Sequence, residues 1–124
     1  MCKASEMYEP SALFRAAYDY ANNQYDLVAI LSAKYGLLLP NDQIEPYDIT
    51  IKKMPAKEKR QWSEKVIRQI DDRIGLSRIE ECYFHAGREY RRDLILLLQT
   101  AGIRCKTPLE GLSIGKQLQW YKKH

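Results

Sequence analysis

The sequence predicts a mixed α/β fold, and three observations lead to this prediction. Strand-like apolar runs alternate with helical patterns along the chain, which is typical of βαβ units and a parallel sheet. Glycine or proline stands at the end of most of these segments, where it stops a helix or a strand. The 124 residues suffice for one core but not for two. We therefore expect a single α/β domain over residues 1–124, a three-layer α/β/α, Rossmann-like arrangement with a short, mostly parallel sheet.

Four helices are predicted from apolar side chains that recur at helical spacing. Each is bounded by residues that start a helix, such as serine or proline, or that stop one, such as glycine or asparagine. The predicted bounds are Ser11 as N-cap after Glu9-Pro10 to Asn22-Asn23, Met54-Pro55 to Gly75, Gly87 to Gly102, and Lys116 to about Lys122.

Three strands are predicted between these helices, each as a short apolar run that ends in turn or loop residues. A parallel sheet with three visible strands is small for this architecture. The predicted strands are Leu27 to Leu31, Cys82 to Ala86, and Ile103 to Lys106. The run from Leu37 to Asp42 ends in turn residues, and the stretch that follows it to Thr50 is predicted to be an ordered loop.

Composition and charge narrow the class of protein. No apolar run approaches the ~20 residues that span a bilayer, and no signal-peptide pattern is visible, so we expect a cytoplasmic protein that does not enter a membrane. The net charge is +4, and basic residues fall in three runs, which suit phosphates or, equally, are solvated helix faces. The runs are Lys52, Lys53, Lys57, Lys59 and Arg60; Arg88, Arg91 and Arg92; and Lys116, Lys122 and Lys123.

The three cysteines predict neither a disulfide framework nor a metal site. Their number is odd and no C-x-x-C spacing occurs. Cys82 and Cys105 lie in strand-like stretches and are expected to be small packing residues. We expect no metal and no cofactor.

The ends of the predicted strands indicate a ligand site, because parallel strands end on one side of a sheet. Glycines there allow close backbone approach, Lys34 suits a phosphate, tyrosines could stack on a base, and a glycine-flanked helix start could hold an anion. Each residue also has a purely structural explanation as a turn, a surface lysine or a sheet cover. The candidate ligand-binding residues are Ser32, Lys34, Tyr35, Gly36, Tyr47, Gly87, Tyr90, Gly111, Gly115 and Gln117.

Three residues are candidates for acid–base or nucleophilic chemistry. Glu110 stands between Pro108 and Gly111 in a constrained turn, although it could equally cap the last helix. Asp48 follows Pro46-Tyr47, and His85 lies near the end of the second predicted strand, where it could also be a rim histidine.

Four segments resemble a family of small uncharacterised bacterial and phage proteins. They are Ser32-Ala33-Lys34-Tyr35-Gly36-Leu37, Glu45-Pro46-Tyr47-Asp48, Ala86-Gly87-x-x-Tyr90, and the stretch from Pro108 to Trp120. The first two are also similar to a Leu-Ser-x-x-Tyr-Gly-Leu … Pro-Tyr segment of the YaaA peroxide-stress proteins, through Ser32, Tyr35, Gly36, Pro46 and Tyr47. That resemblance implies DNA binding and protection from oxidative damage, but the helix-hairpin-helix of YaaA has no counterpart here.

Members of the small family begin with an additional strand that ends in a Cys-Ser-x-x-Lys-like loop. Here the chain begins almost at the following segment, so that strand is either missing or reduced to Cys2-Lys3. A sheet without a strand exposes backbone donors and acceptors, and we expect a homodimer or partner contact along that edge.

Three functions fit these features. The first is binding of nucleic acid or a nucleotide by the converging loops and basic runs. The second is cleavage or transfer at a nucleoside glycosidic bond by Glu110 or Asp48, which requires both carboxylates at one pocket. The third is a structural or regulatory subunit whose loops complete the site of another protein.

Overall fold

A computed structural model describes residues 1–8 and 11–124 as a mixture of helices and short strands, which confirms the α/β class. The elements in chain order are β1 (Cys2–Lys3), α1 (Ala4–Met7), α2 (Ala12–Gln24), β2 (Ile30–Ser32), β3 (Gly36–Leu38), β4 (Gln43–Ile44), α3 (Ala56–Arg73), β5 (Glu81–Tyr83), α4 (Arg88–Thr100), β6 (Arg104–Lys106) and α5 (Ile114–Lys123), with 3₁₀ turns at Ile51–Lys53 and Leu76–Arg78. Within the described residues no helix combines the length and apolar character that a membrane span needs.

The chain divides into two compact units. Unit 1 comprises Met1–Ile30, Leu38–Tyr47 and Leu109–His124, and unit 2 comprises Leu31–Leu37 and Asp48–Pro108. The single domain and the three-layer, mostly parallel sheet stay predictions. In the described part of the chain the strands form three two-stranded sheets, in the pairs β1–β4, β2–β3 and β5–β6.

Unit 1 is built on α2 and α5, which pack against each other, and on the small sheet of β1 and β4. β1 pairs antiparallel with β4, with Cys2 opposite Ile44. The backbone N–H of Ala4 extends this pairing to the carbonyl of Asp42 at 2.9 Å. Cys2-Lys3 therefore forms a strand with a partner inside its own unit, and the expected contact with a second chain stays a prediction.

Unit 2 is built on the packing of α3 against α4. The side chains of Val66 on α3 and Leu98 on α4 are fully buried, and Leu94 is only 1% exposed. β5, α4 and β6 form a β–helix–β motif in which the two strands are parallel, with Glu81 opposite Arg104. This motif agrees with the βαβ units that the sequence predicts.

The ends of the helices follow the predicted start and stop residues. The Ser11 hydroxyl caps α2 by accepting the N–H of Phe14 at 3.2 Å, while Glu9 and Pro10 lie outside the described residues. Gly75 and Gly102 end α3 and α4 with φ values of 96° and 87°, a region that suits glycine. The last helix begins at Ile114, two residues before the predicted start, because the Ser113 hydroxyl accepts the N–H of Lys116.

The strands differ from the prediction in number and in bounds. The strand predicted from Leu27 begins only at Ile30, and Leu27 is 55% exposed. The strand is short because its partner β3 is only three residues long. The strand predicted to reach Ala86 ends at Tyr83, and β6 begins at Arg104 instead of Ile103. The predicted loop contains β4, and a 3₁₀ turn follows its end at Thr50.

The two strand cysteines lie side by side, because Cys82 is the register partner of Cys105 in the β5–β6 pair. Both thiols are free and half-buried. Burial, and then the neighbouring Cys105, raise the pKa of the Cys82 thiol to about 11. A thiol with so high a pKa is a poor nucleophile at neutral pH, which agrees with a packing role.

Alkylation of Cys82 by iodoacetamide is expected to be slow at pH 7.5 and to rise with pH until about pH 11, because the thiolate is the reactive form. Mass spectrometry of the labelled peptide measures this rate, and free cysteine is the reference, with a pKa of about 8.5. A midpoint at or below that of free cysteine would contradict the packing role.

Candidate functional site

The Ser32–Leu37 segment is the connection of a hairpin. β2 and β3 pair with each other and are joined by a three-residue turn, Ala33 to Tyr35. The Ser32 hydroxyl accepts the N–H of Tyr35 at 3.0 Å, which stabilises the turn. Gly36 begins β3 with a φ of 83°, in the left-handed region that glycine adopts without a steric penalty. The predicted polar loop is therefore a tight turn whose ends belong to strands.

Helix α3 binds this turn through three side chains on one face. The indole N–H of Trp62 donates to the carbonyl of Ser32 at 2.9 Å, and the ammonium of Lys65 to the carbonyl of Lys34 at 3.2 Å. Gln69 makes two bonds, because its amide N–H donates to the carbonyl of Tyr35 at 3.0 Å and its oxygen accepts the N–H of Leu37 at 2.8 Å. Gln69 thus pairs the Tyr35 carbonyl of the turn and the Leu37 N–H of β3 with one side-chain amide.

The predicted ligand-binding residues of the turn have internal roles in this arrangement. Ser32 is fully buried, and Gly36 is buried against the side-chain amide of Gln69. Lys34 is exposed, with its ammonium 5.2 Å from the centre of the Tyr35 ring. Ligand binding by these four residues stays a prediction, and Lys34 is the one whose charge faces solvent.

The start of α4 lies beside the same part of α3. Gly87 is the N-cap residue, and its carbonyl accepts the N–H of Tyr90 at 3.0 Å. The Tyr90 ring meets the Trp62 indole edge-on at 5.7 Å, so Trp62 links Ser32 to Tyr90. His85 precedes this helix, and its burial lowers the pKa of the imidazole, which leaves the ring neutral at pH 7.

Two of the basic runs meet where α3 and α4 begin. Lys59 forms an ion pair with Glu89 at 2.6 Å, which joins the first turns of the two helices. The hydrogen bond from Lys59, its charge, and the charges of Arg88 and Arg92 lower the pKa of the Glu89 carboxyl. Arg60 and Arg92 line a depression of about 90 Å³ around this ion pair. We call Lys59, Arg60, Arg88 and Arg92 the basic cluster.

Unit 1 holds the remaining predicted ligand-binding residues. The hydroxyls of Tyr47 and Tyr8 form a short hydrogen bond. Gly111, with a φ of 84°, occupies the third position of a turn closed by the N–H of Leu112 and the carbonyl of Leu109 at 3.2 Å. In α5, the side chain of Gln117 donates to the carbonyl of Leu112 at 2.9 Å, so this residue holds the turn against the helix. Gly115 is exposed in the first turn of α5.

The candidate catalytic residues are divided between the units. Glu110 lies in the exposed turn of unit 1, whereas Asp48 and His85 belong to unit 2. A shared pocket for the two carboxylates, which the predicted glycosidic chemistry requires, stays a prediction. Residues 1–8 and 11–124 also contain no group of three His, Cys, Asp or Glu side chains arranged to hold a metal ion.

Comparison with known families places the chain. The model of a family of unknown function, DUF6884, matches residues 1–123. The chain belongs to DUF6884. No curated protein matches this DUF6884 chain significantly, and no solved structure does. The family agrees with the predicted resemblance to small uncharacterised proteins, while the similarity to YaaA stays a prediction.

Sequence reasoning did not identify Gln69 and Trp62 as partners of the turn in this DUF6884 chain. Both lie on α3 seven residues apart, which places them on one face of the helix. A signal was present, because a polar Gln69 adjoins the apolar stripe that contains Val66 and Ile70. It was also not apparent that Glu89 lies among the basic residues, since this requires α3 and α4 to pack with their starts together.

Proposed function

We propose that this DUF6884 chain is a nucleic-acid-binding α/β domain that contacts phosphates through the basic cluster of unit 2. One observation carries the proposal: runs separated by some thirty residues in sequence come together around Glu89. Basic side chains that are merely solvated would not be expected to come together, because charges of one sign repel each other and their repulsion energy falls with distance.

The positive charges near the cluster outnumber the carboxylates of Glu89 and Asp93, which line the same depression. The side chains of Arg60, Arg88 and Arg92 are exposed, as are Lys52 and Lys53 in the 3₁₀ turn that contacts α4. Arginine suits phosphate because its planar guanidinium can donate two parallel hydrogen bonds. The positive end of the α4 dipole adds to this field at Arg88.

Two predicted features agree with the proposal without deciding it. Lys34 belongs to the same unit, and its exposed ammonium adds a positive charge to unit 2. The resemblance to the YaaA proteins implies DNA binding. The proposal also includes a three-layer, Rossmann-like arrangement of the whole chain. Phosphate contacts of this kind supply affinity without sequence preference.

Replacing Arg88 and Arg92 together with alanine is expected to weaken binding to duplex DNA. Each phosphate contact that is lost lowers the slope of log K against log salt by about 0.9, so the slope falls by up to about 2. Fluorescence anisotropy with a labelled 20-base-pair duplex measures both the affinity and the slope. The salt concentration is varied between 50 and 200 mM, roughly the range over which phosphate contacts lose affinity.

The matched control is the pair Arg68→Ala and Arg78→Ala, which removes the same charge from unit 2. Arg68 is exposed on α3 about 12 Å along the helix axis from Arg60, and Arg78 lies beyond the end of α3. The control is expected to keep most of the slope. Equal effects of the two pairs would show attraction by net charge alone, and no binding at 50 mM salt would refute the proposal.

A further inference from the structure

A groove lies within unit 1, between α2 and α5. Its volume is about 480 Å³, within the roughly 300–1,000 Å³ that ligand sites occupy. Ala12 and Ala16, one turn apart on α2, form a low floor, and the rings of Tyr20 and Tyr121 stand beside it with their centres 5.7 Å apart. The groove therefore combines small residues with two aromatic rings.

Neighbouring rings hold this aromatic wall in place. The Trp120 ring meets Tyr20 edge-on at 4.9 Å and Tyr121 at 5.4 Å, and His124 stacks on Trp120 at 4.0 Å. Burial, followed by the neighbouring Tyr25 and Tyr20, raises the pKa of the Tyr121 phenol above its usual range. The phenol stays neutral, so its ring does not repel an anionic ligand at physiological pH.

Cations stand at the groove on both helices. Arg15 of α2 and Lys122 of α5 line it and are exposed. Asp19 and Asn23 line it too, and offer oxygen acceptors to a polar ring edge or a sugar hydroxyl. Aromatic rings flanked by cations are the combination by which proteins bind unpaired nucleotides, since every base has a face that stacks.

We infer that the α2–α5 groove binds an unpaired nucleotide, with the base against Tyr20 or Tyr121 and the phosphate at Arg15 or Lys122. The inference rests on the proposed function, because it names a kind of nucleic acid. It concerns a different surface from the basic cluster, which contacts phosphates and has no tyrosine among its residues. A proline-rich peptide also packs on tyrosine rings, but it offers no phosphate to Arg15 and Lys122.

The test measures anisotropy with three labelled probes, a 12-nucleotide single strand, a duplex of the same sequence and a proline-rich peptide. Adenosine monophosphate serves as competitor. Tyr121→Leu is expected to weaken single-strand binding about tenfold and to leave duplex binding unchanged, because stacking requires an accessible base face. Lys122→Glu alters an exposed side chain without disturbing packing, and is expected to weaken binding several-fold. The matched controls are Tyr83→Leu and Lys123→Glu, both at exposed residues outside the groove.

The outcomes separate the two proposals. Displacement by the mononucleotide identifies a free nucleotide as the occupant, and lack of displacement identifies a strand; both support the site if Tyr121→Leu weakens binding. Unchanged single-strand binding in both Tyr121→Leu and Lys122→Glu overturns the inference, and so does binding of a proline-rich peptide alone. If Tyr121→Leu acts and the Arg88/Arg92 pair does not, the groove stands and the basic cluster fails.

Discussion

Gly36→Ala is expected to lower the free energy of unfolding by about 2–3 kcal/mol, because two penalties add. The φ of 83° lies in the left-handed region, where a side chain with a Cβ costs about 1–2 kcal/mol. The added Cβ would also collide with the side-chain oxygen of Gln69, the atom that accepts the N–H of Leu37. Relief of that collision breaks a hydrogen bond worth about 1 kcal/mol.

Two other glycines separate these penalties. Gly111 has nearly the same φ, 84°, but no heavy atom lies within 4 Å of an added Cβ, so Gly111→Ala measures the backbone cost alone. Gly115 lies in α5 with equally open surroundings, and Gly115→Ala is expected to be neutral or slightly stabilising. Urea denaturation followed by circular dichroism gives the three values. A Gly36→Ala cost no greater than that of Gly111→Ala would show that Gln69 does not confine the turn.

Substitution of Trp62 is expected to have the other large effect. Trp62→Ala removes a buried ring that contacts Tyr90 and should cost about 3–5 kcal/mol through lost burial and a cavity. Trp62→Phe keeps an aromatic ring but removes the indole N–H that donates to Ser32, and should cost about 1–2 kcal/mol. The difference between the two variants separates packing from the hydrogen bond.

Trp120→Phe is the control, because Trp120 is half-exposed in unit 1 and its ring is replaced in the same way. Thermal unfolding and urea denaturation should both show a smaller loss for this variant than for Trp62→Phe. If the two phenylalanine variants are equally stable, the bond between α3 and the hairpin turn contributes little to stability.

The helices were predictable because their signals are local. Ser11 caps its own helix three residues on, and Gly75 and Gly102 end theirs by their own backbone conformation. The strands were less predictable, since a strand of two or three residues is defined by its partner. Nothing near Cys2-Lys3 in sequence indicates that it pairs with Gln43–Ile44, some forty residues away.

The site was predictable in composition but not in arrangement. The basic runs and the glycines of the turns are visible in the sequence, and the positive φ values at Gly36 and Gly111 agree with the expected backbone freedom. Which side chains meet depends on how helices pack. Glu89 lies among cations of two runs only because α3 and α4 start side by side, and that arrangement has no local signal.

The bonds from Gln69 to the hairpin turn affect how relatives of this chain should be recognised. Ser32, Tyr35 and Gly36 hold a joint between a helix and a turn, so a search that uses their pattern as its query would collect proteins sharing that joint, whatever they bind. Subdividing such a collection by activity therefore calls for markers elsewhere. In this chain Arg88, Arg92 and Lys122, the residues of the proposed contacts, face solvent and lie outside this joint.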